Sequence, residues 1–343
     1  MSLRVVYQPL SVETSSPYRL VRGRDREVNW ANNFLDAQRV RGLSLCSLRA
    51  YAYDLLDVAR WFSAMSIELS TLTESLLLDY LRFQMDPNPK PAPRTINHRL
   101  SVLHCVYRFH YAREIPPRSG SRGRDRTRAA PFGYRRTRRG LHGLRVRLPR
   151  RVVLPLTSDE VAQFWSSFRT FRDLSIVALM LFNGLRSREV LHLGIDDLRF
   201  AQGEIYIHGK GNRERLLPLA EETIQVLCKY LHLERPPTDS SRLFVSLKGT
   251  RRGGPMTSAG LRSLFRHHRR QMKIPKANPH RFRHTFGADM VRAGISLPAL
   301  MRLMGHADIQ TTMFYVQLSP KDVWEEFHRA VQKRGQLAVP ERL

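Results

Sequence analysis

Cysteine, long apolar runs and negative charge are all scarce in this sequence of 343 residues. The three cysteines, Cys46, Cys105 and Cys228, are odd in number and far apart, so neither a disulfide framework nor a Cys-x-x-Cys zinc site is indicated. No apolar run reaches the roughly 18 residues that a membrane-spanning helix needs. Residues 1–10 contain no signal-like apolar stretch. These absences predict a cytoplasmic protein.

The chain carries 57 lysines and arginines against 30 acidic residues, which gives a formal net charge of +27. So large a surplus implies a polyanionic partner, because the chain would otherwise repel itself at some cost in stability. Nucleic acid is the default partner, and an anionic membrane is an alternative that nothing else in the sequence supports. With 42% hydrophobic residues the chain is globular, and it is long enough for two domains. In a bacterium we would expect it on the nucleoid.

The first third of the chain divides into an arm and a helical domain. Residues 1–25 lack a periodic pattern and indicate an N-terminal arm. Residues 26–114 are helical in pattern, with one apolar stripe at three- and four-residue steps over Leu48, Tyr51, Leu55, Val58 and Phe62. The proline-rich segment 86–93 interrupts this pattern. A further helix follows, and its inward positions are Ile96, Leu100, Leu103 and Tyr107.

Residues 115–153 differ from the rest of the chain. Between Arg118 and Arg151 there are thirteen arginines and one acidic residue, Asp125. Such a segment cannot bury enough apolar surface to fold alone. The composition predicts an interdomain linker that lies along a phosphate backbone, and a solvated tether is the alternative.

A second domain is predicted over residues 154–343. Thr157 to Glu160 forms a capping box, and residues 173–183 predict a buried helix that ends at Gly184. Residues 204–207 and 215–219 flank Gly209-Lys-Gly-Asn212, which is typical of a β-hairpin. Further helices are predicted over 221–232, 258–272, 280–293, 297–304 and 320–333, so the domain is mainly helical with a small antiparallel sheet.

The second domain contains charged and polar residues of the kind that grip a phosphate, followed by a tyrosine nine residues after a Gly-His pair. The set comprises Arg186, Lys210, His280, Arg283, His306 and Tyr315. In order, spacing and identity it resembles the tyrosine recombinases, the phage-integrase-like enzymes that cut and rejoin DNA through a phosphotyrosine. The resemblance extends from Arg186 to Tyr315.

The resemblance implies a fold that is mainly α with a small antiparallel β-sheet. An N-terminal helical core-binding domain would precede a C-terminal catalytic domain. The implied activity is site-specific recombination of DNA, as an integrase, a resolvase or the transposase of a mobile element. In such a core-binding domain a polar helix face touches DNA, which here would be Arg94, Thr95, Asn97 and Arg99. By local pattern alone, that face is equally a solvated one.

The resemblance also assigns roles around the phosphate. Transesterification places negative charge on the non-bridging oxygens, and a guanidinium fork suits that charge better than a lysine does. Arg186 and Arg283 match the two arginines that hold the scissile phosphate, and Glu189 matches an acidic residue that orients the site. His280 matches a histidine that accepts a proton from the nucleophile or hydrogen-bonds it. His306 matches a second histidine, which donates to the phosphate.

Tyr315 matches the nucleophile, and Lys210 matches a hairpin lysine that protonates the departing 5′-oxygen. Arg213 and Arg215 would add phosphate contacts. The implied mechanism gives a 3′-phosphotyrosyl link and a free 5′-hydroxyl, and it needs neither a metal nor another cofactor. Recombination would then require a homo-tetramer on two DNA duplexes, formed from protomers that are monomers or dimers off DNA.

Other interpretations remain open. His280 and His284 have the i, i+4 spacing of a zinc-binding pair, but no Glu lies between them and the adjacent arginines would repel a dication. A type IB topoisomerase would share the chemistry but act as a monomer without sequence choice. A non-catalytic DNA-binding protein would keep all its activity when Tyr315 is changed to Phe. The amphipathic segment around Val323, Trp324, Phe327 and Val331 would dock on a neighbouring protomer or pack within its own chain.

Overall fold

The structure is a computed structural model that describes residues 2–8, 14–87, 89–116, 144–149, 154–209, 214–306, 309–313 and 328. The chain divides into two compact units, residues 1–151 and 152–343. Each unit has its own hydrophobic core. Within the described part of the chain, none of the helices combines the length and apolar character that a membrane crossing requires.

The first unit begins with an antiparallel sheet rather than an arm. Its described strands are β1 (Leu3–Tyr7), β2 (Tyr18–Arg22) and β3 (Arg26–Glu27), in the order β1-β2-β3. Leu3 and Leu20 are buried in the same core as the helices that follow. The prediction of an arm over residues 1–25 is therefore wrong. Strands this short alternate over too few positions to produce a clear sequence period.

Helices make up most of the other described residues of the first unit. They are α1 (Asn29–Val40), α2 (Leu45–Met65), α3 (Glu74–Met85) and α4 (Pro93–Tyr111), with a short 3₁₀ helix at Leu69–Thr71. The proline-rich segment separates α3 from α4, as the sequence predicts. Both predicted stripes face the core, which is built around the buried rings of Phe34, Trp61, Tyr80 and Tyr107.

The two flanks of the arginine-rich segment both lie on this unit. On the N-terminal side, the backbone N–H of Glu74 donates to the carbonyl of Pro116 at 3.0 Å. On the C-terminal side, Asn97 of α4 binds both backbone groups of Val146: Nδ2 donates to its carbonyl and Oδ1 accepts from its N–H, each at 2.9 Å. Residues 144–149 are thus attached to the first unit instead of lying free in a linker. Residues 117–143 lie outside the described residues.

The second unit is helical around a small sheet. Among the described residues its helices are α5 (Ser158–Ser166), α6 (Phe171–Leu181), α7 (Ser187–His192), α8 (Glu221–Lys229), α9 (Ser258–Gln271), α10 (Pro279–Arg292), α11 (Leu297–Met304) and α12 (Ile309–Met313). Its strands are β4 (Leu198–Arg199), β5 (Glu204–His208) and β6 (Glu214–Pro218), which pair antiparallel in that order. A 3₁₀ helix lies at Phe200–Gln202, and a π-helical turn at Tyr230–Glu234 follows α8.

The predicted fold class is confirmed, with one more sheet than expected. The capping box is present, because Thr157 Oγ1 accepts from the N–H of Glu160 at 3.3 Å and Glu160 Oε2 accepts from the N–H of Thr157 at 2.9 Å. The buried helix starts two residues earlier than predicted, since Thr170 Oγ1 caps it by accepting from the N–H of Asp173 at 3.2 Å. The helix predicted over 320–333 lies outside the described residues, apart from residue 328.

Candidate active site

Glu189, in the first turn of α7, holds a group of arginines together. Its side chain is 6% exposed. Its carboxylate accepts from the backbone N–H of Arg186 at 2.9 Å and from Arg186 Nη1 at 2.8 Å. Arg215 of β6 donates to both carboxylate oxygens, from Nη1 at 3.1 Å and from Nη2 at 3.0 Å. Arg283 Nη1 of α10 lies 4.0 Å from Oε2. One carboxylate therefore serves three guanidinium groups, and the cluster as a whole stays positive.

The same arginines bind successive backbone carbonyls where α11 ends. These bonds are Arg215 Nε to Leu303 O at 3.1 Å, Arg283 Nη2 to Met304 O at 2.6 Å and Arg186 Nη2 to Gly305 O at 3.1 Å. The last carbonyls of a helix lack intrahelical partners and carry the negative end of its dipole, so cations are favourable there. Side chains from three separate elements thereby fix the turn that leads into His306.

Two glycines make this arrangement possible. Gly305 ends α11 with a φ of +60°, and a Cβ at that position would lie 2.8 Å from Arg215 Nη1. Gly184 lies three residues after the end of α6, which stops at Leu181 rather than at the predicted residue 183; its φ is +64°, and a Cβ there would lie 2.4 Å from the ring of Phe286. Positive φ angles cost glycine little and other residues more. Gly184 also accepts a hydrogen bond from Arg283 Nη1 at its carbonyl, so this turn ties α6 to α10 just before Arg186.

His306 lies beside Arg283, half-buried. Its Nε2 is 2.9 Å from Arg283 Nη2, and its Nδ1 is 2.9 Å from Oγ1 of Thr312 in α12. Burial, together with the charges of Arg283, Arg186 and Arg215, lowers the pKa of His306 to about 4, against a smaller opposing effect of Glu189. The imidazole is therefore neutral at pH 7.

His280 and Arg283 both lie on α10, one turn apart. Asn278 caps this helix by accepting from the N–H of Arg281 at 3.2 Å, and Pro279 occupies the first helical position. His280 is exposed at the start of the helix, whereas Arg283 is only 4% exposed. Among the described residues, no group of three or more His, Cys, Asp or Glu side chains is placed to hold a metal ion.

The structure brings together five of the residues that the sequence singled out: Arg186, Glu189, Arg215, Arg283 and His306. Lys210 and Arg213 lie outside the described residues, between the paired ends of β5 and β6 at His208 and Glu214. Tyr315 also lies outside them, two residues after the end of α12.

Arg215 belongs to this site in a way that sequence reasoning missed. A direct phosphate contact was expected, but its side chain is only 12% exposed and donates from all three nitrogens to Glu189 and Leu303. The alternation of side chains along the strand could have indicated that Arg215 faces inward. Arg215 lies on the same face of β6 as buried Leu217 and pairs across the ladder with buried Ile207. Its neighbour Leu216 is exposed.

The predicted DNA-facing residues of α4 separate into two groups. Arg94 and Thr95 are exposed in the first turn of the helix. Asn97 is 8% exposed and both ends of its amide are hydrogen-bonded to the backbone of Val146 within the first unit. Arg99 pairs with Asp57 at 3.0 Å and hydrogen-bonds Gln84, so its charge is compensated within the unit. The apolar stripe of α4 did not reveal these contacts, because Asn97 and Arg99 lie beside the stripe and face neighbouring parts of the first unit.

Comparison with known proteins identifies the family. Residues 155–334, more than half of the chain, match the model described as the phage integrase family. The chain belongs to the phage integrase family. Residues 32–114 match the family's second module, described as the phage integrase N-terminal SAM-like domain. The resemblance to tyrosine recombinases is thus confirmed.

Several relatives of this phage integrase family member carry the name tyrosine recombinase XerD. The protein of Listeria monocytogenes is 29% identical over 306 residues, which cover 84% of this chain and 94% of the relative. The protein of Pseudomonas putida is 26% identical over 307 residues, covering 89% and 97%. The protein of Staphylococcus haemolyticus is 31% identical over 166 residues, covering 46% of this chain and 55% of the relative.

Solved structures share the fold. The XerH site-specific recombinase bound to palindromic difH substrate has a TM-score of 0.63 at 20% identity and covers 87% of this chain and 84% of its own. The Tn1549 transposon integrase in complex with transposon right end DNA has a TM-score of 0.62 at 20% identity and covers 87% and 98%. At such identities the likeness shows a common architecture, that of a two-domain tyrosine recombinase.

Proposed function

We propose that this protein is a site-specific DNA recombinase that cuts and rejoins DNA through a covalent bond between Tyr315 and a 3′-phosphate. Membership of the tyrosine recombinase family supports recombination as the activity. The observation that carries the proposal is the cluster in which Arg186, Arg215 and Arg283 share the single carboxylate of Glu189 beside His306. The excess positive charge of this cluster would balance the negative charge of one phosphodiester group.

Phosphate binding follows from this geometry. Arg186 keeps 36% of its side chain exposed, and it would donate to one non-bridging oxygen while Arg283 donates to the other. The incoming negative charge would offset the guanidinium groups that depress the pKa of His306, so the pKa of His306 would rise. A protonated Nε2 could then donate to the phosphate. Preorganised donors of this kind are typically worth about 10²–10³ each in rate.

Cleavage itself is assigned by the match of motif residues. Tyrosine has a pKa of about 10, so only about a thousandth of it is ionised at neutral pH without help. His280 would accept the phenolic proton or hydrogen-bond the phenol, and Tyr315 would attack phosphorus. Lys210 would protonate the departing 5′-oxygen. The phosphotyrosyl bond conserves the phosphodiester energy, so a 5′-hydroxyl from a second duplex can reverse the step. The steps proposed here use neither a metal nor a cofactor.

The proposed substrate is double-stranded DNA at a specific site. The XerH and Tn1549 structures contain DNA, and this chain has an N-terminal SAM-like domain in addition to the catalytic one. That domain favours a recombinase, as integrase, resolvase or transposase, over a topoisomerase. Exchange between two duplexes needs four cleavages, for which we propose a homo-tetramer, and such a substrate would place the protein at the nucleoid.

A covalent-trapping assay tests the proposed chemistry. The protein is mixed, in EDTA, with nicked duplexes drawn from the DNA that flanks its own gene, and the products are separated on denaturing gels. We expect a slower, protease-sensitive DNA band with the wild type and with Tyr53→Phe, a control at a 49% exposed tyrosine in the first unit. Tyr315→Phe should abolish the band. A band that survives in Tyr315→Phe would mean that another residue is the nucleophile, and its absence with wild type on bound DNA would refute the proposal.

A further inference from the structure

Thr312 lies in α12 with its side chain completely buried, at 0% exposure. Its Oγ1 is 2.9 Å from Nδ1 of His306. The neighbouring Thr311 is exposed. Buried hydroxyl groups are nearly always hydrogen-bonded, because an unpaired one costs desolvation energy. The hydrogen bond to His306 therefore satisfies the buried hydroxyl group of Thr312.

The neighbours of His306 determine which ring nitrogen carries the proton. Arg283 Nη2 lies 2.9 Å from Nε2, and a guanidinium group can only donate hydrogen bonds. Nε2 must therefore accept. A neutral imidazole carries one hydrogen, which then lies on Nδ1 and is donated to Thr312 Oγ1. Both ring nitrogens are thus held, from opposite sides, by Arg283 and Thr312.

We propose that Thr312 is a positioning residue for catalysis, which accepts from His306 Nδ1 and so directs Nε2 toward the phosphate site. The proposal rests on the function proposed above. When a phosphodiester binds and the ring takes up a proton, the Nδ1 hydrogen stays on Thr312 and the new proton enters at Nε2, while the Arg283 Nη2 hydrogen that Nε2 had accepted turns to a phosphate oxygen. Thr312 also precedes Tyr315 by three residues, so this bond ties the helix before the nucleophile to the turn that carries His306.

The chain offers matched variants for a test. Thr312→Val keeps the shape of the side chain and removes the hydroxyl, Thr312→Ser restores the hydroxyl, and Thr311→Val makes the same change at the exposed neighbour. The first measurement is made on the full-length protein without DNA. The ¹⁵N shifts of the ring nitrogens of His306, assigned with a His306→Gln variant, distinguish a hydrogen on Nδ1 from one on Nε2. The second measurement is the rate of covalent complex formation on the nicked duplex.

We expect the wild type, Thr312→Ser and Thr311→Val to show the Nδ1–H form. Thr312→Val leaves a hydrogen on Nδ1 buried without its acceptor, which opposes the preference that Arg283 sets, so we expect this variant to show a mixture that includes Nε2–H. The loss of one hydrogen bond should slow covalent complex formation by about tenfold in Thr312→Val, with recovery in Thr312→Ser. An Nε2–H ring in the wild type would overturn the proposal, even if Thr312→Val does not fold. An unchanged rate in Thr312→Val, or an equal loss in Thr312→Ser, would also overturn it. If no protein variant forms covalent complexes but the ring shifts are as expected, the proposed function fails while the positioning of His306 stands.

Discussion

At the scale of single residues, the balance of charge around Glu189 decides what the site can do. Burial raises the pKa of this carboxyl group, but hydrogen bonds from Arg215 and from the backbone N–H of Arg186, together with their charges, outweigh burial and hold the pKa below its ordinary 4.5. Glu189 is therefore a permanent anion at neutral pH. It fixes the arginines without cancelling their total charge.

Replacing Glu189 by Gln tests this role. The variant leaves the buried side chains of Arg215 and Arg283 without their counter-charge, and we expect the free energy of unfolding at pH 7 to fall by about 3 kcal/mol. A depressed pKa stabilises the fold above the unfolded value of about 4.5 and loses that effect as the pH falls through the folded pKa. The difference from wild type, measured by denaturant unfolding, should therefore shrink below about pH 4.5. Glu222→Gln, at an exposed position, is the control, and a difference independent of pH would contradict the interpretation.

Gly305 provides a second test, with a control that has the same backbone conformation. Gly203 has a φ of +63°, and a Cβ there would meet no atom of the described residues within 4 Å, whereas a Cβ at Gly305 would press on Arg215. Alanine at either position should cost about 1–2 kcal/mol for the left-handed conformation. Only Gly305→Ala should also slow covalent complex formation, because Arg215 is held by its bonds to Glu189 and Leu303. Equal rates for the two variants would show that the contact with Arg215 is unimportant.

At the scale of elements, the two sides of α4 have different tasks. Arg94 and Thr95 are exposed at its start, while Asn97 faces the segment 144–149 and binds Val146. Leu144 and Val146 pack against the core of the first unit. Asn97 is thus the point at which the chain leaving the arginine-rich segment is attached again to the N-terminal unit.

Asn97→Ala should release this attachment. It removes two hydrogen bonds from the backbone of Val146, and we expect a loss of about 1–3 kcal/mol in the stability of the contact. Arg145 and Arg147 are exposed, so trypsin should cut after them faster in the variant, as followed by mass spectrometry of short digests. Thr95→Ala serves as the control on the same helix. If trypsin cuts both variants at the wild-type rate, the attachment does not depend on Asn97.

At the scale of the whole molecule, the net charge of +27 dominates. The ion pairs described above compensate some arginines inside each unit, among them Arg99, but a large surplus remains for the solvent and for DNA. Phosphate contacts of this kind release counterions from DNA, so they make affinity depend on salt and carry little sequence information.

Binding to a duplex of arbitrary sequence should therefore be strong at low salt and weaken steeply. If six to ten phosphates are contacted, the affinity should fall by roughly 10³–10⁵ between 50 and 200 mM salt. Fluorescence anisotropy across that range gives the slope of log affinity against log salt. Arg94→Ala should make the slope shallower by about one. A flat salt response would show that the surplus charge does not face DNA.

Much of this protein could be predicted from the sequence because the signals are local. Apolar periodicity located α2, α4 and most helices of the second unit, Thr157 and Glu160 indicated the start of α5, and the glycines around Lys210 indicated the hairpin. The order of arginines, histidines and tyrosine indicated the family. Helix periodicity, helix caps and turn residues depend only on residues that are close together in the sequence, so they can be recognised without the structure. The roles assigned to Lys210, His280 and Tyr315 still depend on that motif and stay predictions.

The tertiary structure alone decided which side chains meet. Arg215 and Glu189 are 26 residues apart, and Asn97 and Val146 are 49 apart. Whether an arginine faces solvent or a buried carboxylate depends on how strands and helices from distant parts of the chain pack. The sequence therefore determined most of the helices, the hairpin and the chemical groups of the site, and packing determined that three arginines share one carboxylate and that Thr312 contacts His306.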